Sequence, residues 1–327
     1  MRRDFLKAMG GLAMAGATGT AWAQAKKPAR VAYMYIFREG PSAPHVSSFK
    51  SRMSQLGWVD GQNYLLEVRD AEGSFPKLDA LAKDVVDSKV DVIVAACSPE
   101  GKAASRHTKT IPIVMAATGD AVASGLVQSL ARPGGNVTGV SAMLLDSSAK
   151  RLAILKEAFP KVTRATIIWN PDRPDNHQEV KVMQDAGRAL GITLESLQVR
   201  TNQELTDALD LLPTTKTEAL MNAGDSLIGG AQIPPIVAVG NKMRIPSVYE
   251  EHAWALAGGV MSFGPNFPAL HARAAEYVDK ILRGAKPADL PLEQPSRFEL
   301  VINMKTAKAM GWTIPHSLLA SADQIIS

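Results

Sequence analysis

With a single cysteine, Cys97, the 327-residue chain cannot form an internal disulfide, so its stability has to come from packing. After the first two dozen residues, no segment reaches the roughly 18 uncharged apolar residues that a membrane span requires, and the mature chain is expected to be soluble. Catalytic and cofactor motifs are also missing. The six histidines (His45, His107, His177, His252, His271 and His316) show no H-E-x-x-H or comparable metal spacing, and Cys97 has no second thiol near it. There is no G-x-S-x-G elbow, no P-loop and no G-x-G-x-x-G after the first strand. The glycine-rich run Arg132-Pro133-Gly134-Gly135-Asn136 lies between a helical and a strand pattern and reads as a connecting loop. No enzyme, cofactor or metal is expected on these grounds. Excess charge is lacking too: the formal net charge is +4, of which Arg2, Arg3 and Lys7 against Asp4 account for +2, so nucleic acid is not suggested as a partner.

What is present begins at the N-terminus. Arg2-Arg3-Asp4-Phe5-Leu6-Lys7 is followed by a small-residue apolar stretch from Ala8 to Ala21 and by Ala21-Trp22-Ala23. Paired arginines, a short apolar run and an A-x-A site, in that order, make a secretory signal of the twin-arginine type, cut after Ala23. No cysteine follows the run to accept a lipid, so a freely diffusing periplasmic protein without a membrane anchor is expected.

From Arg30 onward, short β-rich runs alternate with amphipathic stretches, as in βαβ units around a parallel sheet. Strands are predicted at 31–36, 64–68, 90–95, 111–116 and 136–140, with helices around 46–56 and 78–86. The uninterrupted apolar runs at 90–95 and 111–116 suit central strands buried on both faces. The cycle restarts with a helix at 150–159 and continues through strands at 165–169, 192–199, 219–222, 245–248 and 259–262. A long helix at 268–282 and a last strand at 298–302 follow. The expected fold is α/β, with two doubly wound parallel-sheet lobes joined by a multi-segment hinge near 141–146, 262–265 and 291–295.

In open parallel sheets, ligands lie beyond the carboxyl ends of the strands, where helix N-termini offer free N–H groups. The loops at those ends supply the candidate residues. In the first unit these are Phe37 and Ser42 after strand one, Ser98 and Pro99 after strand three, and Thr118 and Gly119 after strand four. Ser98 before Pro99 reads as a helix cap, but with Thr118 it also offers hydroxyls to an anionic group such as a carboxylate. In the second unit the candidates are Asn170, Asp172, Asp225, Tyr249 and Glu250. Asp225 could cap a helix or hold an ammonium group. Asn170 and Asp172 sit in an N-P-D context that turn chemistry alone explains. Tyr35, Phe37 and Tyr249 could wall an apolar or aromatic side chain, and Cys97 reads as a small buried hydrophobe.

The blocks Arg132-Pro133-Gly134-Gly135-Asn136-Val137-Thr138-Gly139-Val140, Gly258-Gly259-Val260-Met261-Ser262-Phe263-Gly264-Pro265 and Gly284-Ala285-Lys286-Pro287-Ala288-Asp289-Leu290-Pro291 make the chain recognisable. So does the closing run Phe298-Glu299-Leu300-Val301-Ile302-Asn303. The sequence resembles, over essentially its whole length, the ABC transporter substrate-binding proteins of the type I periplasmic-binding-protein fold. The resemblance implies a two-lobed, monomeric receptor that closes on a small solute, an amino acid or related small carboxylate, and presents it to an inner-membrane ABC permease. It also implies ligand contacts at Ser98, Thr118 and Asp225. The expected division is 1–23 as signal, 24–143 with about 265–292 as one lobe, and 144–264 with about 293–327 as the other. A departure from the family is the first loop, where Phe37-Arg38-Glu39 replaces a small Ser/Gly-rich segment. Two alternatives share parts of this reading: a periplasmic sensor subunit with the same cleft, and an exported cofactor enzyme, against which the lack of any cofactor motif stands.

Overall fold

The computed structural model describes residues 27–36, 44–122, 124–225, 227–295 and 297–327. The expected signal segment, Phe37, Arg38, Glu39 and Ser42 lie outside the described residues.

The first lobe runs β1 (Ala29–Tyr35), α1 (Pro44–Gln55), β2 (Tyr64–Asp70), α2 (Phe75–Asp87), β3 (Val92–Ala95), α3 (Ser98–His107), β4 (Ile113–Thr118) and β5 (Val137–Ser141). Its five strands are parallel in the order β2-β1-β3-β4-β5. Every residue of β3 and β4 is buried, because successive side chains enter different helical layers. Val31, Tyr33, Val92, Val94 and Val114 pack on one face, while Ala32, Met34, Ile93, Ala95, Ile113 and Met115 pack on the other.

The chain then crosses into the second lobe. This contains α4 (Leu144–Ala158), β6 (Arg164–Trp169), α5 (Pro174–Leu190), β7 (Thr193–Gln198), α6 (Asn202–Leu211), β8 (Leu220–Asn222), α7 (Ile233–Met243), β9 (Ser247–Tyr249), α8 (His252–Leu256) and β10 (Met261–Pro265). α9 (Phe267–Leu282) returns to the first lobe, where Leu270, Ala274, Tyr277, Val278 and Ile281 join the core of β1, β3 and β4. β11 (Phe298–Asn303), α10 (Met304–Met310), α11 (His316–Ser321) and β12 (Gln324–Ile326) finish the second lobe, whose sheet order is β12-β11-β10-β9-β8-β6-β7.

One pairing departs from the parallel expectation: β11 runs antiparallel to β10, with Phe298 opposite Pro265, and β12, parallel to β11, shares its direction. The cause is the excursion of α9. In an ordinary crossover the helix packs on its own sheet and the chain re-enters at the far end. Here the helix packs on the other lobe, so the chain comes back from the cleft side and must run away from it.

β5 and the segment before β11 are tied together between the lobes. Ser141 N donates to Glu293 O at 2.7 Å, and Glu293 N donates to Gly139 O at 2.9 Å. Gly139 has φ +133°, and a β-carbon there would collide with the Met115 backbone, so glycine is required. Among the described residues, no helix is long and apolar enough to cross a membrane.

Candidate functional site

The carboxyl ends of both sheets face each other, so the candidate loops meet. In the first lobe, α3 starts one residue earlier than the Ser-Pro pattern predicts. Cys97 occupies the cap position, and the buried Glu100 carboxylate accepts the Cys97 N–H at 3.1 Å and the Ile36 N–H at 2.7 Å. Burial pushes the Glu100 carboxyl above its ordinary range. Ser98 is therefore not the cap. Its hydroxyl pairs with the Thr118 hydroxyl at 3.1 Å and accepts the Gly119 N–H at 2.9 Å, with both side chains fully buried. This pairing locks the ends of β3 and β4 together. Cys97 is not the buried hydrophobe expected: it is partly exposed and lines the interlobe cavity.

In the second lobe, Asn170 Oδ1 accepts the Asp172 N–H at 2.9 Å, the turn chemistry that the N-P-D context suggests. Asp172 itself turns outward, 55% exposed and 3.5 Å from Arg200, at the mouth of the cleft beside Pro99. The next residue, Arg173, is only 4% exposed, and its Nη1 donates to Gly224 O at 2.7 Å. Burial alone would lower the guanidinium pKa, but the fields of Cys97, Asp225, Asp175 and Glu179 outweigh it and hold Arg173 charged. Asp225 accepts from Leu227 N at 2.7 Å and from Asn176 Nδ2 at 3.3 Å, and burial raises its pKa against the pull of Arg173. It caps no helix.

Beneath this loop lies a buried polar network. Arg151 and Glu179 pair at 2.8 Å, fully and almost fully buried, and Glu179 also accepts from Ser148 and from Gly224 N. Arg151 reaches the Asn222 carbonyl, while Asn222 Nδ2 donates to Glu250 Oε1 at 3.0 Å. Burial pushes the Glu250 carboxyl up to about 8, so it is largely protonated at neutral pH.

Between the lobes is a cavity with about 80 Å³ of water-accessible space. Arg173, Asp225 and Glu250 form the second-lobe wall, while Tyr35, Ile36, Ala117 and Phe267 form the apolar side opposite. A second cavity, sharing Leu144 with the first, is lined by Gly119, Lys102 and Asp175. Ion pairs among the described residues cross the cleft, among them Lys102 of α3 with Asp175 of α5 at 2.9 Å and His45 of α1 with Glu251 at 3.4 Å. The Lys102 hydrogen bond and the Arg173 charge hold the Asp175 carboxyl low despite its burial.

Of the sequence candidates, Asp225 and Glu250 thus reach the main cavity, Gly119 reaches the second, and Ser98 and Thr118 buttress the rim behind them. Tyr249, expected on the wall, is instead a core residue: fully buried, it stacks on Trp254 with ring centroids 4.3 Å apart. β9 directs Val248 to one helical layer and Tyr249 to the other, away from the cavity. Arg173, Glu100, Leu144, Phe267 and His271 were not among the candidates. Arg173 stood next to Asp172 in a loop already singled out, whereas His271 gave no signal beyond its helical spacing. His271 stacks on His45 at 4.7 Å inside the first lobe, and burial holds its imidazole well below the usual range.

Known proteins share this architecture. Residues 34–326 match the family described as ABC transporter substrate binding protein. A tyrosine-binding protein of Clostridioides difficile (strain R20291) is 30% identical over 262 residues, covering 80% of this chain and 75% of that protein. An ABC domain from Streptococcus pneumoniae, solved in complex with L-Trp, superposes with a TM-score of 0.83 at 25% identity, covering 91% of this chain and all of that one. A conserved domain protein from Vibrio cholerae superposes at 0.84, also at 25% identity and with the same coverage. The chain belongs to the ABC transporter substrate-binding proteins, a family that binds small solutes and delivers them to an ABC permease rather than transforming them.

Proposed function

We propose that the protein is the periplasmic receptor of an ABC importer and takes up an α-amino acid with an apolar or aromatic side chain. The observation that carries this reading is the pairing of buried opposite charges, Arg173 and Asp225, on one wall of the interlobe cavity, facing Tyr35 and Phe267 on the other. An amino acid presents a carboxylate and an ammonium a few ångströms apart, and a wall carrying both an arginine and an aspartate complements the two charges, where a neutral sugar or nucleobase would offer only uncharged hydrogen bonds. Asp225 holds the ammonium, and the side chain lies against Tyr35, Leu144 and Phe267. The tyrosine-binding relative and the tryptophan-bound neighbour support an aromatic side chain.

The solute enters between open lobes, which close about the strands joining 139–144, 265–267 and 291–298, and the closed form is what the permease recognises. Export through the twin-arginine leader, release after Ala23 and a monomeric state complete the proposal.

Calorimetric titration of the mature protein with L-tyrosine, L-tryptophan and L-phenylalanine, alongside glucose and adenine, tests it. At least one aromatic amino acid is expected to bind, and at 100 times its dissociation constant to stabilise the fold by roughly 2.7 kcal/mol. Binding of a sugar or nucleobase with no response to any amino acid would refute the reading.

A further inference from the structure

Two polar atoms on the cavity wall have no protein partner although they are buried: Arg173 Nε and Glu250 Oε2. Their residues are 4% and 6% exposed, and both line the same cavity. They converge on Gly224. Arg173 donates through Nη1 to the Gly224 carbonyl, and Glu250 Oε2 sits so close to the Gly224 Cα that a β-carbon at that position would collide with it. The other carboxyl oxygen, Glu250 Oε1, accepts from Asn222 Nδ2. A buried polar atom without a partner is costly, and one on each of two residues that meet at Gly224 calls for a partner supplied from outside the chain.

We propose that Arg173 and Glu250 together hold the carboxylate of the solute, Arg173 through Nε–H and Glu250 through Oε2. This assignment rests on the amino-acid reading above and fixes its acid end. It replaces the expectation that Ser98 and Thr118 take the acid, since those hydroxyls are spent on each other and on Gly119 N. It also places the acid site beside Asp225, as a carboxylate and ammonium on one carbon require.

Glu250 gives the site a pH dependence of definite sign. Its carboxyl is raised to about 8, chiefly by burial, with Arg151 and Arg173 opposing and Glu179 and Glu251 adding to the rise. Glu100, Cys97, His45 and His271 face it from the first lobe. Below about 8 the group is an O–H donor. Above it, the group is an anion that repels the solute carboxylate, so affinity falls as pH rises through that value.

The test uses three probes on the mature full-length protein: L-tyrosine, tyramine, which lacks the carboxylate, and 3-(4-hydroxyphenyl)propanoate, which lacks the ammonium. L-tryptophan, tryptamine and indole-3-propanoate run in parallel. Arg173→Gln is expected to weaken the binding of L-tyrosine and the propanoate by about 10- to 100-fold and to leave tyramine unchanged. Arg173→Lys, which keeps the charge, restores part of the loss. Glu250→Gln, which keeps an N–H donor, is expected to bind about as wild type near pH 7 and to lose the decline between about pH 6.5 and 8.5. Equal weakening of all three probes by Arg173→Gln would overturn the assignment, as would an unchanged preference for the carboxylate. If Arg173→Gln does not fold, the pH profiles decide: parallel profiles for wild type and Glu250→Gln overturn it. Failure of the wild type to bind either amino acid refutes the amino-acid reading itself.

Discussion

Arg151 and Glu179 illustrate how single residues set the site without touching it. Their pair, wholly within the second lobe, fixes Gly224 through Glu179 Oε2 and Asn222 through Arg151 Nη1, and these in turn place Arg173 and Glu250. Removing one partner leaves a buried charge unpaired, which costs about 3–5 kcal/mol, whereas exposed pairs such as Lys83 with Asp87 are screened by solvent and contribute little. Arg151→Met is therefore expected to lower unfolding stability by about that amount in a urea titration, and a loss below ~1 kcal/mol would contradict the network. Little of this was legible in the sequence. A lone arginine between Asp172 and Pro174 reads as a solvated loop charge, and its burial depends on the β6 loop closing over Gly224, 51 residues away. Asp225 was legible because it follows a clear strand. Tyr249 misled because the apolar run at 245–248 placed it in the loop beyond the strand, whereas β9 runs Ser247–Tyr249 and carries Tyr249 into the core.

At the scale of elements, most of the architecture could be read from apolar runs and helical spacing. Strands β3 and β4 declared themselves by having no polar face, and α1 and α9 by their spacing. The antiparallel β11 could not be read, because strand direction depends on where α9 packs rather than on any residue of β11. Nor could α8, α10, α11 and β12, all of which are shorter than a reliable period. The elements also meet across the cleft. α3 and α5 join through Lys102 and Asp175, whose side chains are 29% and 23% exposed. Such a half-buried pair contributes about 0.5–1 kcal/mol to closure. Lys102→Met is expected to weaken solute binding by about two- to fivefold, more at low salt than at high, with unfolding of the solute-free protein little changed. Unchanged affinity at low salt would show that the pair plays no part in closure.

The whole molecule is two rigid cores linked by narrow crossings. Each lobe buries its own sheet between two helical layers, and the crossings include the Gly139–Ser141 pairing with Glu293. Rigid halves with a thin connection favour hinge motion over internal rearrangement. The contacts from Lys102 to Asp175 and from His45 to Glu251 span the cleft, so the arrangement described is a closed one, and under the proposed function the cavity between them is where a solute is desolvated. Opening costs those contacts and the solute's own, so the solute supplies the free energy that favours closure.

Small-angle X-ray scattering of the mature protein, with and without saturating aromatic amino acid, measures that motion directly. The account predicts a smaller radius of gyration with solute bound, saturating at the concentration where calorimetry saturates. An identical scattering profile in both states, with binding demonstrated on the same sample, would contradict it.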